Sequence, residues 1–173
     1  KTDETSSRLD NLALFREMTL YYRFHKRFAK TDMEIFAGVF PRKAMEGSWS
    51  QAMFSDSLVF YDNNLEGLLL KFRREKAYFE VGCDWMGQYG SARREKFMIF
   101  TAGEGEVLPF MSLGYAGYML HYANSQQVKG LVDNFLVNPY ACFEIGKYTG
   151  MQEFSFRLGW LQAMQRDRKH VGA

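Results

Sequence analysis

The sequence predicts an all-β protein, an antiparallel up-and-down meander of about eight strands that forms a transmembrane β-barrel or a large part of one. Three observations predict it. Residues 76–86 split with period two into an apolar row (Ala77, Phe79, Val81, Cys83, Trp85) and a polar row (Lys76, Tyr78, Glu80, Gly82, Asp84). The pattern returns over residues 153–164, where Phe154, Phe156, Leu158, Trp160 and Met164 alternate with Glu153, Ser155, Arg157, Gly159 and Ala163. Finally, 17% of the residues are aromatic, with 15 glycines and only 3 prolines, a composition that suits pleated, half-exposed surfaces and barrel girdles. Tilted strands of about 9–11 residues suffice to cross a bilayer.

Taken in order, residues 12–28 carry two patterns. With period two, Met18, Leu20, Tyr22, Phe24 and Phe28 oppose Glu17, Thr19, Arg23, His25 and Arg27. With helical spacing, Leu14, Met18, Tyr21 and His25 share a face. The sharper alternation from residue 19 favours a strand. A turn over residues 29–32 leads to a strand over 33–40, which Pro41 ends by withholding a ladder N–H. Residues 41–64 form the longest irregular stretch, either a long external loop of a barrel or an inward-folded constriction. Strands over 65–72 and 76–86, joined at Arg73-Arg74-Glu75, make a hairpin. The next strand spans residues 94–102, with Met98 and Phe100 outward, and the run Gly103-Glu104-Gly105-Glu106 breaks it.

No formally charged residue occurs over 107–128, but Pro109, Ser112, His121, Asn124, Gln126 and Gln127 argue against a membrane helix. As a strand, this stretch places Met111, Leu113, Tyr115 and Met119 on one side and Ser112, Gly114 and Ala116 on the other. Small residues in one row are expected where a loop or narrow lumen presses close. Residues 128–137 fit a strand or a short helix, and 140–148 a further strand ahead of the last one. The chain is expected to be one β-barrel domain over residues 1–173. The polar ends and the lack of an apolar leader predict a piece of a longer barrel.

The net charge of +2, from 22 basic and 20 acidic residues spread along the chain, offers no field for nucleic acid. Cys83 and Cys142 are far apart and lack metal-ligand spacing, and His25, His121 and His170 are dispersed. No phosphate loop, nucleophile elbow, zinc-protease or paired-cysteine motif occurs, so neither an enzyme nor a cofactor or metal is expected. Glu80 and Asp84 share a face, yet four strand residues separate them by about 13 Å, too far for paired glycosidase-type carboxylates. Arg23, Glu80, Asp84, Glu153 and Arg157 are therefore the candidate lumen-facing residues. The competing reading makes Glu80, Asp84 and Arg157 hydrated charges on a solvated face. Trp85 and Trp160 are candidates for a membrane girdle, with core packing as the alternative.

The runs Phe36-Ala-Gly-Val-Phe-Pro-Arg42, Phe54-Ser-Asp-Ser-Leu-Val-Phe-Tyr61, Asn64-Leu-Glu-Gly-Leu-Leu-Leu-Lys71, Phe79-Glu-Val-Gly-Cys-Asp-Trp-Met-Gly87 and Arg93-Arg-Glu-Lys-Phe97 occur in that order. Together they resemble the porin-like outer-membrane β-barrel proteins of Bacteroidota, most clearly over residues 28–104. The resemblance implies a bacterial outer-membrane barrel serving passive diffusion of small polar solutes, with outer-membrane lipid as its surroundings. It supplies no catalytic residue and leaves homo-oligomerisation open. The alternative is a soluble, lipocalin-like β-barrel that binds an apolar small molecule.

Overall fold

The computed structural model describes residues 18–55, 62–88, 90, 93–123, 125 and 130–168. They form one antiparallel sheet: β1 (Leu20–Phe28), β2 (Thr31–Pro41), β3 (Asn64–Arg74), β4 (Ala77–Gly87), β5 (Lys96–Leu108), β6 (Met111–Tyr122), β7 (Leu131–Glu144), β8 (Ser155–Gly159) and β9 (Gln162–Arg168). Each strand from β1 to β7 pairs with the next along the chain, and β8 and β9 both pair with β7. Tyr140 opposite Gly159 and Val137 opposite Gln162 belong to one register, so β8 and β9 are a single eighth strand interrupted at Trp160 and Leu161. The interruption faces Pro139, which has no N–H to give the ladder, although its carbonyl still accepts from the Trp160 N–H at 3.0 Å. Among the described residues the sheet does not close, and β1 and the β8–β9 strand are its two edges.

Residues 20–28 are a strand, as the period-two pattern predicts; Leu14 of the helical alternative lies outside the described residues. Four expectations need correction. The glycine run over residues 103–106 does not end a strand: β5 continues to Leu108, and Tyr115 and Phe79 side chains lie against Gly103 on its outward side. Met98 and Phe100 do not point outward but are buried on the inner face, while Phe97 and Ile99 take the outer one. Both rows of this segment are apolar, so alternation carried no sign there. The two segments expected at 128–137 and 140–148 are one 14-residue strand, β7, which ends at Glu144 before the single helical turn α1 (Gly146–Thr149). The closing strand likewise starts at Ser155 rather than at residue 153.

Connections differ at the two ends of the sheet. At one end, two-residue turns join β1 to β2, β3 to β4 and β5 to β6, and a ten-residue link, 145–154, joins β7 to β8. At the other, β2 and β3 are separated by residues 42–63, β4 and β5 by 88–95, and β6 and β7 by 123–130. The first of these long connections turns back over the sheet through a 3-10 turn (Arg42–Ala44) and places Met45, Trp49, Met53 and Phe54 on the inner face. They cover Phe36, Phe40, Leu65, Leu69, Met98 and Phe100, and this is the protein's hydrophobic core. A twisted single sheet has no second layer of its own, so this loop supplies it.

Candidate functional site: the loop-clamped inner face

Alternation fixes which side chains share the loop's side of the sheet. Arg23, Glu34, Lys71, Arg73, Tyr78, Glu80, Asp84, Glu104 and Arg157 stand there among the apolar core residues. Glu80, with no exposed surface, is the main clamp. Its carboxylate accepts the Glu46 N–H at 2.7 Å, the Gly47 N–H at 2.8 Å and the Trp49 indole N–H at 3.3 Å. Four strand residues away, Asp84 accepts the Glu66 N–H at 2.9 Å and pairs with the buried Arg42 guanidinium at 3.3 Å. A buried carboxylate is tolerable only when its lone pairs are filled this way. Arg42 also donates to the Asp62 carbonyl at 3.1 Å and lies over the Phe54 ring, which ties the start of the loop to its later part.

The loop's tip is fixed by close approach. A Cβ on Gly47 would stand 2.7 Å from a Glu80 oxygen and 2.6 Å from both the Trp49 nitrogen and the Ala102 methyl. Only glycine lets both carboxylate oxygens be reached here. Beyond it, the Ser48 N–H donates to the Tyr78 hydroxyl at 3.3 Å and Arg157 donates to the Ser48 hydroxyl at 3.2 Å. Arg157 also lies 4.3 Å over the Tyr140 ring, whose hydroxyl donates to Glu104 at 2.7 Å. Tyr140 needs the small row on β6: a Cβ on Gly114 would fall 2.4 Å from its ring. What closes on Gly114 is thus a side chain of the neighbouring strand rather than the expected loop or lumen, while Ala116 is buried in the core.

Several sequence-predicted residues thus meet at this face, with different fates. Glu80 and Asp84 are not hydrated charges; the loop buries both, and they hold it. Arg157 reaches the same loop from the last strand. Arg23 binds Glu34 instead, its Nε 2.8 Å from the carboxylate. Glu153 is exposed in the connection before β8 and belongs to no strand. The partners that sequence reasoning missed are Arg42 and the backbone of residues 46–47, because amide donors from a loop more than 30 positions away leave no signature in composition or period.

The opposite face is apolar. Leu68, Phe79, Trp85, Ile99, Leu113, Phe156, Leu158, Trp160 and Met164 are exposed there, from 40% for Phe79 to 69% for Trp160. Register partners stack in aromatic pairs: Trp85 on Phe97 (5.9 Å), Phe72 on Phe79 (6.4 Å) and Phe143 on Phe156 (4.8 Å). Trp85 and Phe79 mark levels about 20 Å apart along β4. Between them the neighbours of Val81 and Cys83 are Leu68, Leu70, Ile99 and Thr101, with no charge. Thr101 does not break the band, since its hydroxyl donates to the Glu80 carbonyl at 2.9 Å. Trp160 is not at a strand end but beside Pro139, in the register row of Tyr115, Gly103 and Phe79. Cys83 faces this apolar side and Cys142 the inner side, opposite Ser112 and Arg157; both are free thiols.

Charges on the outer side gather at the rims. His121 contacts Asp133 at 2.5 Å, and Asp133 also takes Arg168 at 2.9 Å, at the long-loop end. At the short-turn end the pair lies on the inner side instead: Glu106 faces Ser112, Lys76 donates to it at 2.8 Å, and that hydrogen-bonded carboxylate raises the lysine's pKa above its ordinary value. Among the described residues no group of histidine, cysteine and carboxylate side chains is arranged to hold a metal ion, and no helix is long and apolar enough to cross a membrane. Comparison with family models, curated proteins and solved structures finds no match for this chain.

Proposed function

We propose that this chain is the wall and inner loop of an outer-membrane β-barrel that passes small polar solutes by diffusion. The observation that carries the proposal is the polarity of the two faces. The charged side chains and the folded loop share one face, while the opposite face exposes an uncharged apolar band bounded by stacked aromatics. A soluble sheet places these the other way round, and a lipid-facing strand places them this way. Strands of 11–14 residues from β2 to β7 have the length a tilted crossing needs, for which about 9–11 suffice. The two-residue turns at one end, opposite the longer connections at the other, also follow the plan of such barrels, the ten-residue link from β7 to β8 excepted.

In this reading the lipid-exposed edges of β1 and β8–β9 are paired with further strands, since open edges are not tolerated in hydrocarbon. The loop adds a size requirement. Eight strands enclose an interior that side chains alone fill, so a barrel holding residues 42–55 as well is wider than eight strands. Reconstitution of the full-length protein in planar bilayers tests the proposal. Stepwise conductance supports it, and a correctly inserted but silent barrel rejects the pore. Recovery of a monodisperse protein from a soluble fraction without detergent rejects the membrane altogether.

A further inference from the structure

The docked loop leaves a groove of about 400 Å³ between its first residues and β1–β3 on the inner face. Its charge is unbalanced. Arg23, Lys43, Lys71 and Arg73 line it with only two carboxylates, Glu34 and Glu46. Glu34 is shared between two of these cations, its oxygens taken by Arg23 Nε at 2.8 Å and Lys71 Nζ at 2.7 Å. Glu46 is engaged by Arg73. Lys43 is exposed at the groove's rim, and no carboxylate ion-pairs with it among the described residues.

The groove also has an aromatic wall. The Phe36 ring carries Arg23 at 5.4 Å and Lys71 at 5.2 Å, and Tyr21 packs beside it at 5.8 Å, with 41% of its surface exposed. An aromatic surface beside positive charge, with hydrogen-bonding groups at its rim, is complementary to a solute with one flat or ring-shaped apolar face and one anionic group. Purely cationic solutes meet an excess of like charge here.

We infer that this groove is a selectivity site for small monoanionic solutes that carry a ring, such as sugar acids, over neutral or cationic ones. The inference rests on the pore reading and names which solutes the pore favours. Phe36 and Lys71 hold the site's shape, Arg23 and Lys43 supply the attraction, and Tyr21 supplies the contact face. Because Glu34 and Glu46 keep three of the four cations oriented, the charge is fixed in place rather than carried on free side chains.

Single-channel recording of the full-length protein with a potassium chloride gradient, followed by addition of glucuronate or glucose, tests this. The expected results are a reversal potential of the anion-selective sign and a reduction of current by glucuronate at concentrations where glucose has no effect. Lys43→Glu, a change of two unit charges acting through partly hydrated surroundings, lowers the anion preference by about twofold or more. Tyr21→Ser leaves the chloride preference in place and weakens the glucuronate effect. A conducting protein that prefers cations, or that responds equally to glucose and glucuronate, overturns this inference and leaves the pore standing. A silent barrel rejects the pore itself, and the inference with it.

Discussion

The centre of the sheet and its two edges are built from the same kind of strand but live in different surroundings. On β3 to β5 the loop covers much of one face, and Leu65, Leu69, Phe100 and Glu80 have no exposed surface at all. On β8 and β9 every residue is exposed, on both faces, and β1 is nearly the same. The difference teaches where stability comes from. A lone sheet gains little until something covers a face, and here residues 42–54 do so for the centre alone. The edges gain their share only when further strands and lipid surround them.

Substitutions can break this contrast, beginning with the core itself. Phe100→Ala removes a fully buried ring from beneath Trp49 and is expected to cost about 3–5 kcal/mol, whereas Tyr22→Ala on β1 leaves the centre unaffected. Denaturant midpoints of the refolded protein check this, and equal effects at both positions would erase the distinction. Glu80→Ala comes next. It leaves two backbone N–H groups and an indole without their acceptor, at about 1–3 kcal/mol for each group that stays buried. The loop is then expected to detach, with new tryptic cleavage at Lys43 and noisier, larger conductance. A loop that stays protected would show that the aromatic contacts suffice without the clamp.

Leu68→Arg tests the other face. In a bilayer an arginine near the middle of the band is expected to cost about 2–4 kcal/mol of folding free energy. On a water-exposed surface the same change stays within about 0.5 kcal/mol. Folding yields in vesicles, compared for Leu68→Arg and Leu68→Ala, separate the two. The smallest expected effect is that of Gly47→Ala, where overpacking against Glu80, Trp49 and Ala102 costs about 1–3 kcal/mol. It should loosen the loop tip without freeing the whole loop, and a tip with unchanged protease resistance would contradict the close approach.

Much of this was legible in the sequence wherever a strand had one polar and one apolar row. On β4 the contrast of Phe79, Val81 and Cys83 with Glu80 and Asp84 gave the element and its two unlike rows, but not which row the loop would cover. On β5 it could not, because Phe97 and Ile99 compete with Met98 and Phe100, and only the loop decides which pair is covered. Residues 128–137 and 140–148 read as two segments, yet a single strand runs through Pro139 between them; proline costs a strand one ladder bond and need not end it. The inward course of residues 42–55 was one of two readings the sequence left open. What selects it, the Glu80 carboxylate meeting the N–H groups of Glu46 and Gly47, joins residues 33 and 34 positions apart and leaves no local pattern.

The central claim is that the face bearing Phe79 and Cys83 meets lipid while the face bearing Glu80 meets the protein's own loop and water. Spin-labelling at Cys83, with Cys142 replaced by serine, measures it most directly in the bilayer-reconstituted full-length protein. The account predicts relaxation of the label by oxygen dissolved in the lipid and almost none by a water-soluble nickel complex. The converse, a label relaxed by the nickel complex and shielded from lipid-borne oxygen, would contradict it.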